Sequence, residues 1–467
     1  MIPDRLQPII TETSELARRF EAAGHHIYLV GGTVRAAIDA RRQGAGDPLD
    51  DADIDLTTDA LPDEIEALLV GWAEATWLQG KRFGTIGARR RGRRFEITTH
   101  RAEVYETDSR KPEVRFGTDV VEDLSRRDFT VNAMAIRLPE PELLDPFDGI
   151  VDLAAGTLRT PLDPAISFGD DPLRMLRAAR FIAGLGLSPE PPVTAAVVSM
   201  GDRLAIVSAE RIRDELDKLL MVEKPSPGLW FLVRTGLAGE FLPELPALEL
   251  EQDPVHRHKD VLAHTIAVVD KCSPDRLLRL AALLHDIGKP RTRAIGADGV
   301  SFHHHDVVGA RMARERLSAL RYSNEDIETV SRLVELHLRF HTYRMGWSDG
   351  AVRRYRHDAG DLLGRLNELT RCDCTTRSEA KARDLANRMD ELEARLVDLA
   401  EREALDSMRP ELDGVEVMRL LGIPPGPAVG RALQFLLEVR LSDGLIGEDE
   451  ARSRLQQWWK DQQPETT

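Results

Sequence analysis

The residues best equipped for chemistry are Asp53-Ile54-Asp55, inside the run Asp51-Ala-Asp-Ile-Asp-Leu-Thr-Thr. Polar and apolar residues alternate here, which predicts a β-strand with Asp53 and Asp55 on one face. Two carboxylates held side by side repel each other. A divalent cation removes the conflict, and Mg²⁺, a hard ion, takes oxygen ligands. A lone Asp-x-Asp also describes a solvated strand end, so the surroundings decide. Upstream, Ile27–Val30 reads as a short buried strand, and Gly31-Gly-Thr-Val-Arg35 opens a helical run. Gly31 and Gly32 allow backbone N–H groups to approach an anion closely, and the helix start adds its positive dipole end. By themselves they are an ordinary tight turn. With Arg35 beside them and the carboxylates after them, they point to nucleotide phosphoryl chemistry.

These residues need elements to position them. An amphipathic helix over 8–23 leads into the Ile27 strand, and Asp63–Leu69 is helical. The stretches Gly84–Arg89 and Arg93–Thr98 alternate on either side of Arg91-Gly92, which reads as a β-hairpin. Glu96 lies on its second strand, as a third carboxylate for the Asp53/Asp55 pair or as an outward residue paired with a neighbouring Arg. In Arg126-Arg-Asp-Phe-Thr-Val-Asn-Ala133, Arg127, Asp128 and Asn132 suit a grip on triphosphate and ribose. Met without context, the same residues are a helix start with polar caps.

The chain has 467 residues, enough for two to four domains. Its composition is that of a soluble globular protein: 42% hydrophobic, 30% charged and without an apolar run long enough for a membrane span. The charged first twenty-one residues do not suit a secretory signal. Cys272, Cys372 and Cys374 form neither a disulfide framework nor a zinc pattern, so a reducing cytoplasm is the expected location. A net charge of −16 argues against general polyanion binding. Yet Lys81–Arg94 holds seven cations and no acidic residue, which suits an RNA backbone or a solvated hairpin.

Four motifs stand in order: Gly31-Gly-Thr-Val-Arg35, Asp53-Ile-Asp55, Arg126-Arg-Asp-Phe-Thr-Val-Asn-Ala133 and Asp145-Pro-Phe-Asp-Gly-Ile-Val-Asp152. Together they resemble the bacterial class II CCA-adding tRNA nucleotidyltransferases and their relatives, the bacterial poly(A) polymerases. The resemblance covers about the first 220 residues. It departs at Ala36, where the family usually has Asp. Beyond about residue 155 helical periodicity takes over. Phe168-Gly-Asp-Asp-Pro-Leu-Arg174 reads as a helix start, capped by Asp170 or Asp171, with Pro172 in its first turn. Asp171 and Arg174, three apart, are expected on one helical face. A carboxylate beside a guanidinium matches the pairing edges of C and A and mismatches U and G. In the resembling family this motif selects the base. Arg177, one turn on, is placed to assist. Ser208 caps a helix over Ala209–Leu220, with Ile212, Leu216, Leu219 and Leu220 as its core stripe.

Pro225, Pro227 and Pro243 to Pro254 mark a junction. After it, His285-Asp-Ile-Gly-Lys289 resembles the HD phosphohydrolase signature. That resemblance gathers His264, His285, Asp286, His305, His337 and Asp373 as ligands for one or two metals, with imidazole suiting a transition metal. His303 and His304 are read as bystanders. The tail from 376 is helical, for contacts with an RNA arm or as a buttress of the HD region or a dimer face.

The expected fold class is α+β: an N-terminal nucleotidyltransferase α/β head with a small mixed sheet (8–155), then an all-α neck (156–245), HD body (255–375) and tail (376–467). The resemblance implies an enzyme that adds CCA to tRNA 3′ ends from CTP and ATP and releases pyrophosphate. Asp53 and Asp55, helped by Glu96, would hold two Mg²⁺. The protein would be a monomer or homodimer with no membrane partner. Three alternatives stay open: a poly(A) polymerase, which the segment Leu78-Gln-Gly-Lys-Arg-Phe83 partly resembles; an A-adding or CC-adding enzyme; and an HD phosphohydrolase whose head only binds nucleotide or RNA. A non-enzymatic RNA chaperone would leave both clusters unexplained.

Overall fold

The computed structural model describes residues 4–39, 53–101, 116–250, 260–296, 299–374, 378–403 and 409–462. Asp51, at the head of the acidic run, and Pro254 lie outside the described residues. The chain forms two units, Met1–Pro246 and Ala247–Thr467.

Alternating side chains build the sheet of the first unit. Its strands are β1 (Ile27–Val30), β2 (Ile54–Thr58), β3 (Ala75–Trp77), β4 (Thr85–Arg90), β5 (Arg93–Thr99), β6 (Ala135–Leu138) and β7 (Glu142–Leu144). They line up as β3-β4-β5-β2-β1-β6-β7, and the sheet is mixed: β2 and β5 run parallel while the other neighbours are antiparallel. On β5, Phe95, Ile97 and Thr99 point into the core and Arg94 and Glu96 point out. The turn between β4 and β5 is Arg91-Gly92, both with positive φ (50° and 81°). That conformation matches the twist of the flanking strands, and Gly adopts it without strain. Behind the sheet, the helices Gln7–Ala22 and Pro62–Leu69 bury Leu16, Phe20, Ile65 and Leu69 against Ile27, Leu29, Ile54, Leu56, Ile86, Phe95 and Ile97. Each such side chain contributes about 1.5–3 kcal/mol by leaving water. The other face is largely open, apart from a small cluster of Tyr28, Val30, Val120, Leu124, Ala133 and Ala135.

Helices then follow, as the periodicity predicts. Leu173–Leu185 and Ala209–Leu220 pack side by side, and the Ser208 side chain caps the second by accepting from the Arg211 N–H. Two details differ from the sequence reading. A two-residue ladder pairs Thr157–Leu158 with Ser188–Pro189. Asp171 also does not lie on the helix that carries Arg174: one helix ends at Asp170 and the next begins at Leu173, with Asp171 extended between them (φ −144°, ψ 100°). Pro172 is the cause, because its ring clashes with a helical residue before it.

The second unit is helical, with segments including Val261–Lys271, Arg276–Leu284, His305–Ala319, Asn324–Leu336, Leu363–Asp373 and Glu379–Glu403. One hairpin, Arg293–Gly296 with Gly299–Phe302, interrupts the expected all-α body. Its four-residue strands are too short to stand out against helical flanks. Among the described residues no helix is long and apolar enough to cross a membrane.

Candidate active site

Strand register brings the carboxylates together. Asp55 on β2 is the direct neighbour of Glu96 on β5, and Asp53 immediately precedes β2. Cross-strand partners share a face, so Asp55 and Glu96 both project from the open side of the sheet. Burial pushes the Asp55 carboxyl up to about 6; Arg127 opposes this, and the Glu96 and Asp53 charges add to it. A site that resists holding its own negative charge, yet gathers three carboxylates, has the donor set and the electrostatic demand for a hard divalent cation.

Gly31 makes this arrangement possible. Its φ is +66°, and a Cβ there would lie 3.2 Å from Arg127 Nη1 and 3.3 Å from Asp55 Oδ2. Glycine thus holds the start of the helix Gly31–Ile38 against both the carboxylate and the guanidinium. Gly32 follows in the same turn. Arg35 hydrogen-bonds Asn132 Oδ1 and stacks 5.1 Å from the Phe181 ring centre.

A cavity of about 460 Å³ opens beside the carboxylates. Asp55, Glu96, Arg127, Asp128, Asp171, Arg174 and Arg177 all line it. Within it, Asp128 and Asn132 form an internal brace. Asp128 accepts from Arg177 at 2.6 and 2.8 Å and from Asn132 Nδ2 at 2.8 Å. Burial works against the Asp128 carboxylate, but Arg177 overrides it and holds the group well below the usual range. Arg177 also faces Glu215 at 3.5 Å.

Asp171 and Arg174 share this cavity even though they do not share a helix. Asp171 Oδ1 accepts from the Leu173 N–H at 3.2 Å, and Oδ2 pairs with Arg211 at 2.7 Å. Arg174 donates to Ser167 and to the Arg126 carbonyl. Arg211 is a cavity residue that sequence reasoning missed. It lies forty positions from Asp171 on another helix, and no local pattern announces such a partner.

The second unit holds a separate cluster. His285, His305 and His337 each direct Nδ1 at a backbone carbonyl three residues back, of Ala282, Phe302 and Val334, at 2.6–2.7 Å. All three Nε2 atoms are buried and make no well-formed hydrogen bond, although those of His285 and His305 come within 3.2 and 3.3 Å of Asp286. They are aimed at Asp286, which forms one ligand-spaced group with His264 and His285 and another with His305 and His337. Asp373 lies 2.8 Å from His264. Burial lowers His285, but the Asp286 charge more than offsets this and holds it at about 10. Burial, reinforced by His285, pushes His337 down to about 4. Orphaned imidazole nitrogens converging on a shared carboxylate fit one or two transition metals. Lys289, the last residue of the signature and 2.6 Å from Asp286, lines the same cavity of about 320 Å³, as does His341, which was not singled out from sequence. His303 and His304 do not line it.

Comparison with known proteins agrees with this division. Residues 27–159 match the poly(A) polymerase head domain, 186–248 the "probable RNA and SrmB- binding site of polymerase A", and 260–406 the HD domain. An A-adding tRNA nucleotidyltransferase of Deinococcus radiodurans is 34% identical over 84% of this chain and 95% of its own. A CC-adding tRNA nucleotidyltransferase of Thermus thermophilus is 36% identical over 72% and 77%. A CCA-adding enzyme of Bacillus velezensis is 40% identical, over 48% of this chain and 53% of its own. The CTP complex of the Bacillus stearothermophilus CCA-adding enzyme shares the fold, with a TM-score of 0.71 at 23% identity over 97% and 98% of the two chains.

Proposed function

Because the chain belongs to the bacterial tRNA nucleotidyltransferase and poly(A) polymerase family with an HD domain, we propose that it completes tRNA 3′ ends with CCA, using CTP and ATP and releasing pyrophosphate. The observation that carries this reading is the Asp55–Glu96 register, with Asp53 beside it, at the edge of an arginine-lined cavity.

Asp53 and Asp55, with Glu96 in register, would hold two Mg²⁺, which promote attack of the RNA 3′-oxygen on the α-phosphorus and stabilise the departing pyrophosphate. The Gly31-Gly32 turn and Arg127 receive the triphosphate where backbone and guanidinium stand closest to Asp55. The Asp128–Arg177–Asn132 brace fixes the cavity wall and, through Asn132, the position of Arg35. Asp171 accepts from the exocyclic amino group of C or A, and Arg174 donates to the ring nitrogen beside it. For this the incoming base displaces Arg211 from Asp171, a half-exposed ion pair worth little by itself.

The Deinococcus relative, matched over nearly its whole length, favours an A-adding enzyme as second reading. Three tRNAs separate the possibilities: one lacking CCA, one ending in C and one ending in CC, each given CTP or ATP with Mg²⁺. A CCA-adding enzyme extends the first two with C and the third with one A. An A-adding enzyme extends only the third. Runs of A on every substrate mark a poly(A) polymerase and overturn the proposal.

In the second unit, the three orphaned Nε2 atoms around Asp286 support metal-dependent phosphoester hydrolysis as a separate activity. The metal there would activate water, while Lys289 is placed to bind a phosphoryl oxygen.

A further inference from the structure

We propose that Trp77, with Arg89 and Arg94, forms the landing surface for the 3′-terminal stretch of the RNA acceptor, with Trp77 stacking on a base near its end. This rests on the nucleotidyl-transfer reading above and names how the second substrate is held.

The arginine-rich hairpin is formed by β4 and β5. Read along the chain, its arginines look alike, but strand alternation sorts them onto two faces. Arg90 and Arg93 form a cross-strand pair and turn toward the helix Gln7–Ala22, where Arg90 meets Glu15 at 2.8 Å and Arg93 meets Glu12 at 3.6 Å. Those two cations clamp the hairpin to the fold. Arg89 and Arg94 are also partners across the hairpin, and they occupy the opposite face. Both are exposed, and neither has an ion-pair partner among the described residues. In a chain of net charge −16, two exposed guanidiniums beside a phosphoryl-transfer centre suit a polyanion.

Trp77 lies on the same face. At one level across the sheet the register runs Trp77, Gly87, Glu96, Asp55 on four adjacent strands. A Cβ on Gly87 would fall 1.9 Å from Trp77 Nε1 and 2.1 Å from Cε2. The indole therefore lies over the glycine, filling the place of the missing side chain and reaching toward Glu96. It ends about two strand spacings, ~10 Å, from the Asp55 strand. That suits a base near the sugar whose 3′-hydroxyl reacts at Asp53 and Asp55. Trp72, by contrast, is buried edge-on against Phe95 at 5.1 Å. Trp77 is instead part-exposed on the open face, and stacking on an indole tolerates any base. A surface of this kind holds the growing end without reading its sequence, leaving base choice to Asp171 and Arg174.

The test uses full-length protein carrying Trp77→Leu, Trp77→Phe or the double change Arg89→Gln/Arg94→Gln, with tRNA lacking its last nucleotide. Trp77→Leu should lower kcat/KM for tRNA by about ten-fold, with KM for the nucleoside triphosphate within about two-fold of wild type, and Trp77→Phe should restore most of the loss. The arginine double variant should flatten the salt dependence of tRNA affinity by about one to two units of log–log slope. An unchanged kcat/KM for tRNA in Trp77→Leu overturns the proposal. So do equal losses in the Leu and Phe variants with a lowered Tm and a raised nucleotide KM, which mark a packing role. If wild type transfers no nucleotide, the underlying reading fails. The RNA surface is then judged by tRNA binding at equilibrium, where unchanged affinity in Trp77→Leu and in the arginine variant overturns it.

Discussion

Asp55 stands on β2 directly beside Glu96. Its carboxyl is raised by burial to about 6, above the unfolded value near 3.9. This group favours folding below about pH 4, and that contribution is lost as pH rises through 6. Asp55→Asn should therefore stabilise the metal-free protein by about 1–3 kcal/mol near pH 8 while removing nucleotide transfer. Thermal unfolding in EDTA checks this, and a less stable variant would contradict it. Asp171 has a second such test, because its side chain caps Leu173 as well as facing the cavity. Asp171→Ala should admit UTP and GTP, reducing selectivity roughly ten- to hundred-fold, at a stability cost of about 0.5–2 kcal/mol. Lost stability with unchanged selectivity, measured by incorporation of all four nucleotides, would leave only the cap. Asp55 and Glu96 were legible in sequence because a strand's period of two is short-range. The Asp171–Arg211 pair was not, since only packing of two helices creates it.

At the scale of elements, the HD cluster was readable through the His285-Asp286 signature, and helix ends carry several of its ligands. His285 and His337 directly follow Arg276–Leu284 and Asn324–Leu336, where each Nδ1 satisfies a carbonyl of the last turn and each Nε2 is turned inward. What the sequence concealed was a short hairpin and a helix break: Pro172 is visible, but whether it starts, kinks or divides a helix depends on packing. Because His285 is held at about 10 without metal, metal binding must displace its proton, so affinity should rise with pH up to that range. Mn²⁺ at about a hundred times its dissociation constant should stabilise the fold by about 2.7 kcal/mol. Substituting His285 and Asp286 with Ala should abolish that gain, as a calorimetric Tm series with and without Mn²⁺ would show.

For the whole molecule, the two sites fall in different units, Met1–Pro246 and Ala247–Thr467. The double variant at His285 and Asp286 is accordingly expected to keep full nucleotide addition in a folded protein; loss of addition would show that the sites depend on each other. The division into a sheet-based head and helical remainder was legible because periodicity changes from two to 3.6 near residue 155. The measurement closest to the central claim compares wild type with Asp53→Ala and Asp55→Ala in a pyrophosphate-release assay on tRNA ending in CC, with ATP and Mg²⁺. The account predicts steady release by wild type and a loss of at least about a hundred-fold in either variant, with circular dichroism unchanged. Release at more than a few per cent of the wild-type rate from a folded variant, a loss of less than about thirty-fold, would contradict it.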